Sequence, residues 1–157
     1  MTEQKATAER VATRLAERSI ILGTVECATG GIVSRRLFET EEGPAILGDS
    51  LSIDTIEDAI DLLGLPEQQF KATGSFSAKA ARSAARAALE FLEVGWCLVV
   101  WAEPLPADGG NVNETIFLAL NTGDDILEDI LHYDGPADAL GDRLVDEATA
   151  LVWRTLS

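Results

Sequence analysis

Residues 20–31 constrain the fold of this chain more than any other stretch, because an apolar segment there leads directly into a turn with two adjacent glycines. Residues 20–25 have the sequence Ile-Ile-Leu-Gly-Thr-Val, which predicts a buried β-strand. Gly30 and Gly31 follow, and apolar residues at positions 32, 33, 37 and 38 then predict a helix directly after the glycines. A strand, a glycine turn and a helix in succession are typical of an α/β fold.

The turn between this strand and this helix is also where we expect a functional site. The free N–H groups and the dipole of a helix N-terminus attract an anion, and the absent β-carbons of Gly30 and Gly31 let a phosphate, carboxylate or oxyanion approach closely. An acid, a thiol and a hydroxyl lie beside this turn, at Glu26, Cys27 and Thr29. Close packing of the helix on the strand is the alternative explanation of the two glycines.

The rest of the chain continues the alternation of helices and strands. Helices are predicted over residues 2–18, from a cap at Asp54 or Thr55 through Leu63, over 78–94 behind the cap Ser77, and over 136–156. Strands are predicted over residues 45–53, 97–102, 115–120 and 126–131, and the last of these has a spacing that fits a helix nearly as well.

This alternation predicts a three-layer α/β/α sandwich with a mixed, mostly parallel sheet of about five strands, in a single domain over residues 1–157. The short turn at residues 121–125 requires one antiparallel pair of strands. Sites in such sheets lie at the carboxyl ends of the strands, where we expect Glu26, Cys27 and Glu103. Glu103 opens a loop over residues 103–113, in which its side chain either faces a pocket or is exposed.

Composition limits the classes of partner and cofactor. A net charge of −15 argues against nucleic acid and against an anionic membrane as partners, because each would need a concentrated basic surface. The first residues lack a signal pattern and no apolar run has the length of a membrane span, so we expect a cytoplasmic protein. Two cysteines and a single histidine predict free thiols, no structural metal and no cofactor.

Residues 25–31, Val-Glu-Cys-Ala-Thr-Gly-Gly, resemble the motif A-E-S-C-T-G-G of the C-terminal domain of the CinA (competence/damage-inducible) family, whose members include nicotinamide-nucleotide amidases. Cys27 takes the serine position and Ala28 the cysteine position of that motif. The resemblance extends over about residues 3–156. It implies a bacterial source, an α/β/α sandwich around a mixed five-stranded sheet, and self-association, for which the exposed face of the predicted alanine-rich helix at residues 78–94 could serve.

The other motifs of the family are only partly kept. Residues 53–65 end on Leu-Leu-Gly, as the motif Y-S-N-x-x-K-x-x-L-L-G-V does, but lack its tyrosine and lysine. Residues 73–77 keep the glycine and the capping serine of H-G-A-V-S. The loop T-G-I-A-G-P-G-G corresponds to residues 101–110, with Trp101 where a small hydroxyl belongs. The arginine that the family places early in the last helix falls near Gly141, with Arg143 close by as a stand-in.

The resemblance leads to three hypotheses. The first is a relative of the amidases with lost or altered amidohydrolase activity, which binds a small nucleotide-like ligand at the Glu26–Gly31 turn. The second is an active amide (C–N) hydrolase that uses Cys27 as its nucleophile beside Glu26, although the charge of Glu26 would oppose formation of a thiolate. Thr29, Gly30 and Gly31 would then hold the oxyanion or phosphate, and Arg143 would assist. The third is an interaction protein whose ancestral pocket is filled, with Trp101 as the residue that fills it.

Overall fold

Helices and strands alternate along the chain, and the computed structural model describes them over residues 3–70, 72, 74–106 and 109–156. Parts of the predicted segments lie outside these described residues: Thr2 of the first helix, Thr73 of the loop at 73–77, Ala107 and Asp108 of the loop at 103–113, and the chain ends Met1 and Ser157. Within the described residues, no helix is long and apolar enough to cross a membrane.

The described residues form six α-helices and five strands. The helices are α1 (Glu3–Glu17), α2 (Ile32–Phe38), α3 (Gly43–Ile46), α4 (Ile56–Leu63), α5 (Ala78–Leu92) and α6 (Leu140–Leu156). The strands are β1 (Leu22–Cys27), β2 (Leu47–Ile53), β3 (Trp96–Trp101), β4 (Asn111–Asn121) and β5 (Ile126–Pro136). Two short 3₁₀ turns, Glu67–Phe70 and Ala137–Ala139, precede α5 and α6.

The strands form one sheet in the order β2-β1-β3-β4-β5. β1 pairs in parallel with both β2 and β3, whereas β4 is antiparallel to both β3 and β5. Four strands therefore run in one direction and β4 alone is reversed. The predicted mixed, mostly parallel sheet is confirmed, and so is the strand over residues 126–131.

Helices cover both faces of the sheet, which confirms the three-layer sandwich. Side chains of α1, α2 and α6 pack with Leu98 and Val100 of β3 in one buried cluster. Side chains of α4 and α5 pack with Val99 and Trp101 of the same strand in a second cluster. Successive residues of a strand point to opposite faces, so a strand covered on both sides is apolar throughout.

The predicted helix ends follow local side-chain chemistry. Thr55, rather than Asp54, caps α4, because its hydroxyl accepts a hydrogen bond from the Asp58 N–H at 3.2 Å. The same helix ends at Gly64, which adopts a left-handed conformation with φ of 67°. Ser77 caps α5 by accepting from the Ala80 N–H at 3.1 Å. These predicted caps are confirmed.

Several predicted boundaries differ from the structure: the strand predicted over residues 20–25 lies at Leu22–Cys27, and the last helix, predicted from residue 136, begins at Leu140. The strand predicted over residues 45–53 begins at Leu47, because the residues before it form the short helix α3, whose first turn suits the fixed φ of Pro44. The strands predicted over residues 115–120 and 126–131 extend to Asn111 and Pro136. Their backbones stay paired through this extension, in which the buried Val112 and Tyr133 stand among polar residues.

Candidate functional site

A cleft of about 140 Å³ lies at the edge of the sheet where β1, β3 and β5 end and β4 begins. Ile32 of α2, Ile116 of β4 and Leu144 of α6 line its apolar part. Because Ile116 and Leu144 belong to the cluster beneath α1, α2 and α6, the cleft lies on that face of the sheet. Sites of α/β sheets are commonly found at this carboxyl edge.

Thr29 and Glu103 are the two predicted site residues that line this cleft. Glu103 follows β3. It lines the cleft and its side chain is also exposed to solvent, so both of the predicted alternatives, facing a pocket and being exposed, describe it. Glu114 of β4 also lines the cleft and was not predicted. One feature of the sequence could have indicated Glu114. It lies two residues before the buried Ile116, and residues two apart in a strand have their side chains on the same face.

The carboxylate of Glu26 occupies the helix N-terminus that was expected to receive an anion. Glu26 is fully buried, and its two carboxylate oxygens accept hydrogen bonds from the N–H groups of Val33 at 2.9 Å and Ser34 at 3.0 Å. The hydroxyl of Thr29 donates a third bond at 3.1 Å. Gly31 is the N-cap residue of α2 and has no side chain for this role. The expectation that these helix N–H groups are free is therefore wrong for Val33 and Ser34.

The two glycines serve the backbone path of the turn rather than close packing. Gly30 and Gly31 have φ values of 67° and 73°, in the left-handed region that favours glycine. A β-carbon at Gly30 would meet no atom within 4 Å, and one at Gly31 would make ordinary contacts of 3.6 Å with Ser52. Ala28 also has a positive φ, of 63°, so three left-handed residues within four positions fold the chain from β1 into α2.

Cys27 lies on the face of the sheet opposite the cleft. It is fully buried in the cluster beneath α4 and α5. Burial above all, and then the charges of Glu26 and Glu57, raise the pKa of the thiol from 9.0 to about 12. At neutral pH the Cys27 side chain is therefore a protonated thiol without access to the cleft.

Trp101 is fully buried on the same face as Cys27. Its indole N–H donates a hydrogen bond to the backbone carbonyl of Ser75 at 2.8 Å, which ties β3 to the loop before α5. A cavity on this face is lined by Ser75, Glu57, Ile60, Glu67 and Phe70, and neither Cys27 nor Trp101 is among these described lining residues.

Arg143 does not line the cleft. Its guanidinium donates to Glu147 at 3.0 Å, one turn further along α6. Gly141, at the position where the resemblance expected the family arginine, does line the cleft. Arg36 of α2 bonds to Asp142 at 2.8 Å. The structure thus joins Thr29 and Glu103 with Glu114 in one cleft but leaves out Arg143 and Cys27.

One buried hydroxyl near the site has no partner. Thr24 lies two residues before Glu26 on β1, and its Oγ1 atom makes no hydrogen bond with the described residues. A buried hydroxyl without a partner destabilises the folded state. Its position two residues before Glu26 puts it on the same face of β1 as the carboxylate that caps α2.

Comparison with known sequences gives one family and two informative relatives. The profile of the family described as CinA C-terminal domain matches residues 4–156. A CinA-like protein of Geotalea daltonii is 29% identical over 135 residues, which are 84% of this chain and 32% of that protein. A putative competence-damage inducible protein of Symbiobacterium thermophilum is 30% identical over 89 residues, 57% of this chain and 21% of that protein. The matched segment thus spans about a third or less of these relatives.

Solved structures show the same fold. The competence or damage-inducible protein of Enterobacter asburiae superposes with a TM-score of 0.87 at 18% identity, with both chains fully covered. A CinA superfamily protein of Escherichia coli superposes with a TM-score of 0.84 at 19% identity, covering 99% of this chain and 93% of that one.

Proposed function

This chain belongs to the CinA C-terminal domain family, and we propose that it is a member that has lost amide hydrolysis and binds a small organic ligand in the cleft between α2, β4 and α6. The observation that carries this proposal is the placement of Cys27 and Trp101. Both are fully buried beneath α4 and α5, whereas the open cleft lies on the other face of the sheet.

The burial of Cys27 argues against thiol chemistry. A nucleophilic cysteine needs a thiolate and access to the substrate carbonyl. With a pKa of about 12, roughly one thiol in 10⁵ would be ionised at neutral pH. The carboxylate of Glu26 is engaged with Val33, Ser34 and Thr29, so it is not free to act as a base.

Trp101 fills space beneath α4 and α5 at a position where the family motif has a small hydroxyl. The resemblance places Cys27, the start of α4 and Trp101 at motif positions, and Cys27, Trp101 and the buried side of α4 share one cluster. There the indole is fully buried and fixed to Ser75 at 2.8 Å. The buried thiol and the indole would account for lost hydrolysis without loss of the fold, although the motif positions Thr29, Glu103 and Gly141 line the open cleft.

The cleft on the other face keeps the features of a ligand site. It is concave, apolar at its base, and edged by the hydroxyl of Thr29 and the carboxylates of Glu103 and Glu114. A mostly apolar cavity with a few polar groups at its edge is the usual form of a small-molecule site.

The binding part of the proposal is tested by titrating the ¹⁵N-labelled chain with benzylamine, benzyl alcohol and benzoate, which share one ring and differ in charge at pH 7. We expect at least one of them to shift the amide resonances of Thr29 and Gly141. The Gly141→Leu variant should abolish the shift of the Thr29 resonance, because a β-carbon at Gly141 comes within 2.6 Å of Ile32 Cδ1, and Ile32 lines the cleft. If none of the three compounds shifts these resonances, the chain has no ligand site there and an interaction role replaces this proposal.

A further inference from the structure

We infer that the cleft selects a small organic cation, a protonated amine on a compact apolar body, held by the carboxylates of Glu103 and Glu114. This inference rests on the proposed function, since it names the chemistry of the ligand that the cleft would bind.

The apolar part of the cleft sets the body of the ligand. Ile116, Leu140 and Leu144 are nearly fully buried side chains that also line the cleft, and Ile32 closes it from α2. Burial of apolar surface contributes about 25 cal/mol per Å², so an apolar group is favoured here over a hydrated one. The volume of about 140 Å³ limits the ligand to a small body.

The two carboxylates set the charge of the ligand. Glu103 and Glu114 both line the cleft, from the end of β3 and from β4. Neither side chain makes a hydrogen bond or an ion pair with another of the described residues. Glu114 is half-buried, so its carboxylate is less hydrated than one on the open surface. An ammonium group bound at these two acids would supply a counter-charge that none of the described residues supplies.

An anionic ligand finds no matching group in the same cleft. None of the described residues that line it is basic. Arg143 of α6 is bonded to Glu147, and Arg36 of α2 to Asp142, so these two basic side chains already have carboxylate partners. The Glu26 carboxylate occupies the N–H groups of Val33 and Ser34.

The net charge of the whole chain acts in the same direction. At −15 it repels anions and attracts cations over distances of about a Debye length. The phosphate of a nucleotide-like ligand, which the sequence suggested, would therefore be disfavoured, whereas an amine would be attracted to the cleft.

The test compares the three ring compounds on the wild type and on charge variants, with dissociation constants from the amide shifts of Thr29 and Gly141. We expect benzylamine to bind about fivefold more tightly than benzyl alcohol, and benzoate to bind more weakly than both. Glu103→Gln and Glu114→Gln should each weaken benzylamine about three- to fivefold and change benzyl alcohol less than about twofold.

Glu90→Gln is the matched control, because it removes the same charge from an exposed position of α5 on the other face. It should leave the benzylamine constant within about twofold. If benzyl alcohol or benzoate binds as tightly as benzylamine, or if Glu90→Gln weakens benzylamine as much as the cleft variants do, the inference of a cationic ligand is wrong while the cleft remains a ligand site. If none of the compounds binds, the proposed site and this inference both fail.

Discussion

The Oε1 atom of Glu26 lies 2.9 Å from the backbone nitrogen of Val33, so a residue near the end of β1 caps the helix that begins six positions later at Ile32. The second oxygen bonds to the Ser34 N–H at 3.0 Å. A carboxylate at a helix N-terminus gains both from charge-assisted hydrogen bonds and from the helix dipole. Glu26 is therefore first of all a structural residue, which fixes the turn from β1 into α2.

Replacing Glu26 by glutamine should destabilise the fold. The amide has one acceptor oxygen, whereas the carboxylate has two. Its NH₂ group would face a backbone N–H and could not accept a hydrogen bond from it. We expect the free energy of unfolding in urea at pH 7 to fall by about 2 kcal/mol. Glu90→Gln on the exposed side of α5 should change it by less than about 0.5 kcal/mol. Equal effects of the two variants would show that the Glu26 bonds do not stabilise the helix.

Replacing Thr24 by valine should stabilise the fold. Valine has nearly the shape of threonine and lacks the buried hydroxyl for which the described residues offer no partner. We expect the free energy of unfolding to rise by about 1 kcal/mol.

Thr149→Val is the matched control for Thr24→Val, because Thr149 is equally buried but donates to the Val145 carbonyl at 2.8 Å. Removal of the Thr149 hydroxyl should leave the free energy of unfolding unchanged or lower it. A loss of stability in Thr24→Val would mean that its hydroxyl is bonded in solution.

The two buried thiols should make stability fall at high pH. Burial raises the pKa of Cys27 and of Cys97 from 9.0 to about 12. The pKa of each thiol is higher in the folded state than in the unfolded state. Its contribution to the free energy of unfolding is therefore fully present below pH 9 and is lost as the pH rises toward 12. Between pH 7 and pH 10 the free energy of unfolding should fall by about 1 to 2 kcal/mol for each thiol.

The double variant Cys27→Ala, Cys97→Ala separates this effect from the titration of other groups. The free energy of unfolding is measured in urea at pH 7 and at pH 10. Its decrease between these pH values should be about 3 kcal/mol smaller in the double variant than in the wild type. If the two proteins lose the same amount, the thiols are accessible to water in the folded state.

Replacing Trp101 by phenylalanine should reveal how firmly it fills its site. The variant loses the bond to the Ser75 carbonyl and leaves a gap beneath α5. We expect a loss of about 2 kcal/mol in urea unfolding. The same change at the partly exposed Trp153 should cost less than about 1 kcal/mol. Similar costs at both positions would contradict a tightly packed indole at residue 101.

Local patterns predicted most of the fold. Thr55 and Ser77 cap their helices through bonds to residues only three positions away, so their role is visible in the sequence. The run over residues 96–101 is apolar because both of its faces are covered, which is the signal of a central strand.

The site could be predicted only in part, because its residues meet through the fold. The glycine turn and Thr29 followed from one short stretch of sequence. The cap formed by Glu26 depends on a bond that spans seven residues, and the opposite placement of Cys27 and the cleft depends on which helices cover each face. Glu114 lies in a polar part of β4 that has no strand pattern of its own.

The measurement that tests the central claim most directly is the release of ammonia from nicotinamide mononucleotide by the wild type, Cys27→Ala and Cys27→Ser. We expect all three to release ammonia at the rate of the buffer alone, because residue 27 is buried beneath α4 and α5 and Trp101 fills the adjoining core. Release by the wild type that Cys27→Ala abolishes would contradict the account and identify the chain as an amide hydrolase with a thiol nucleophile.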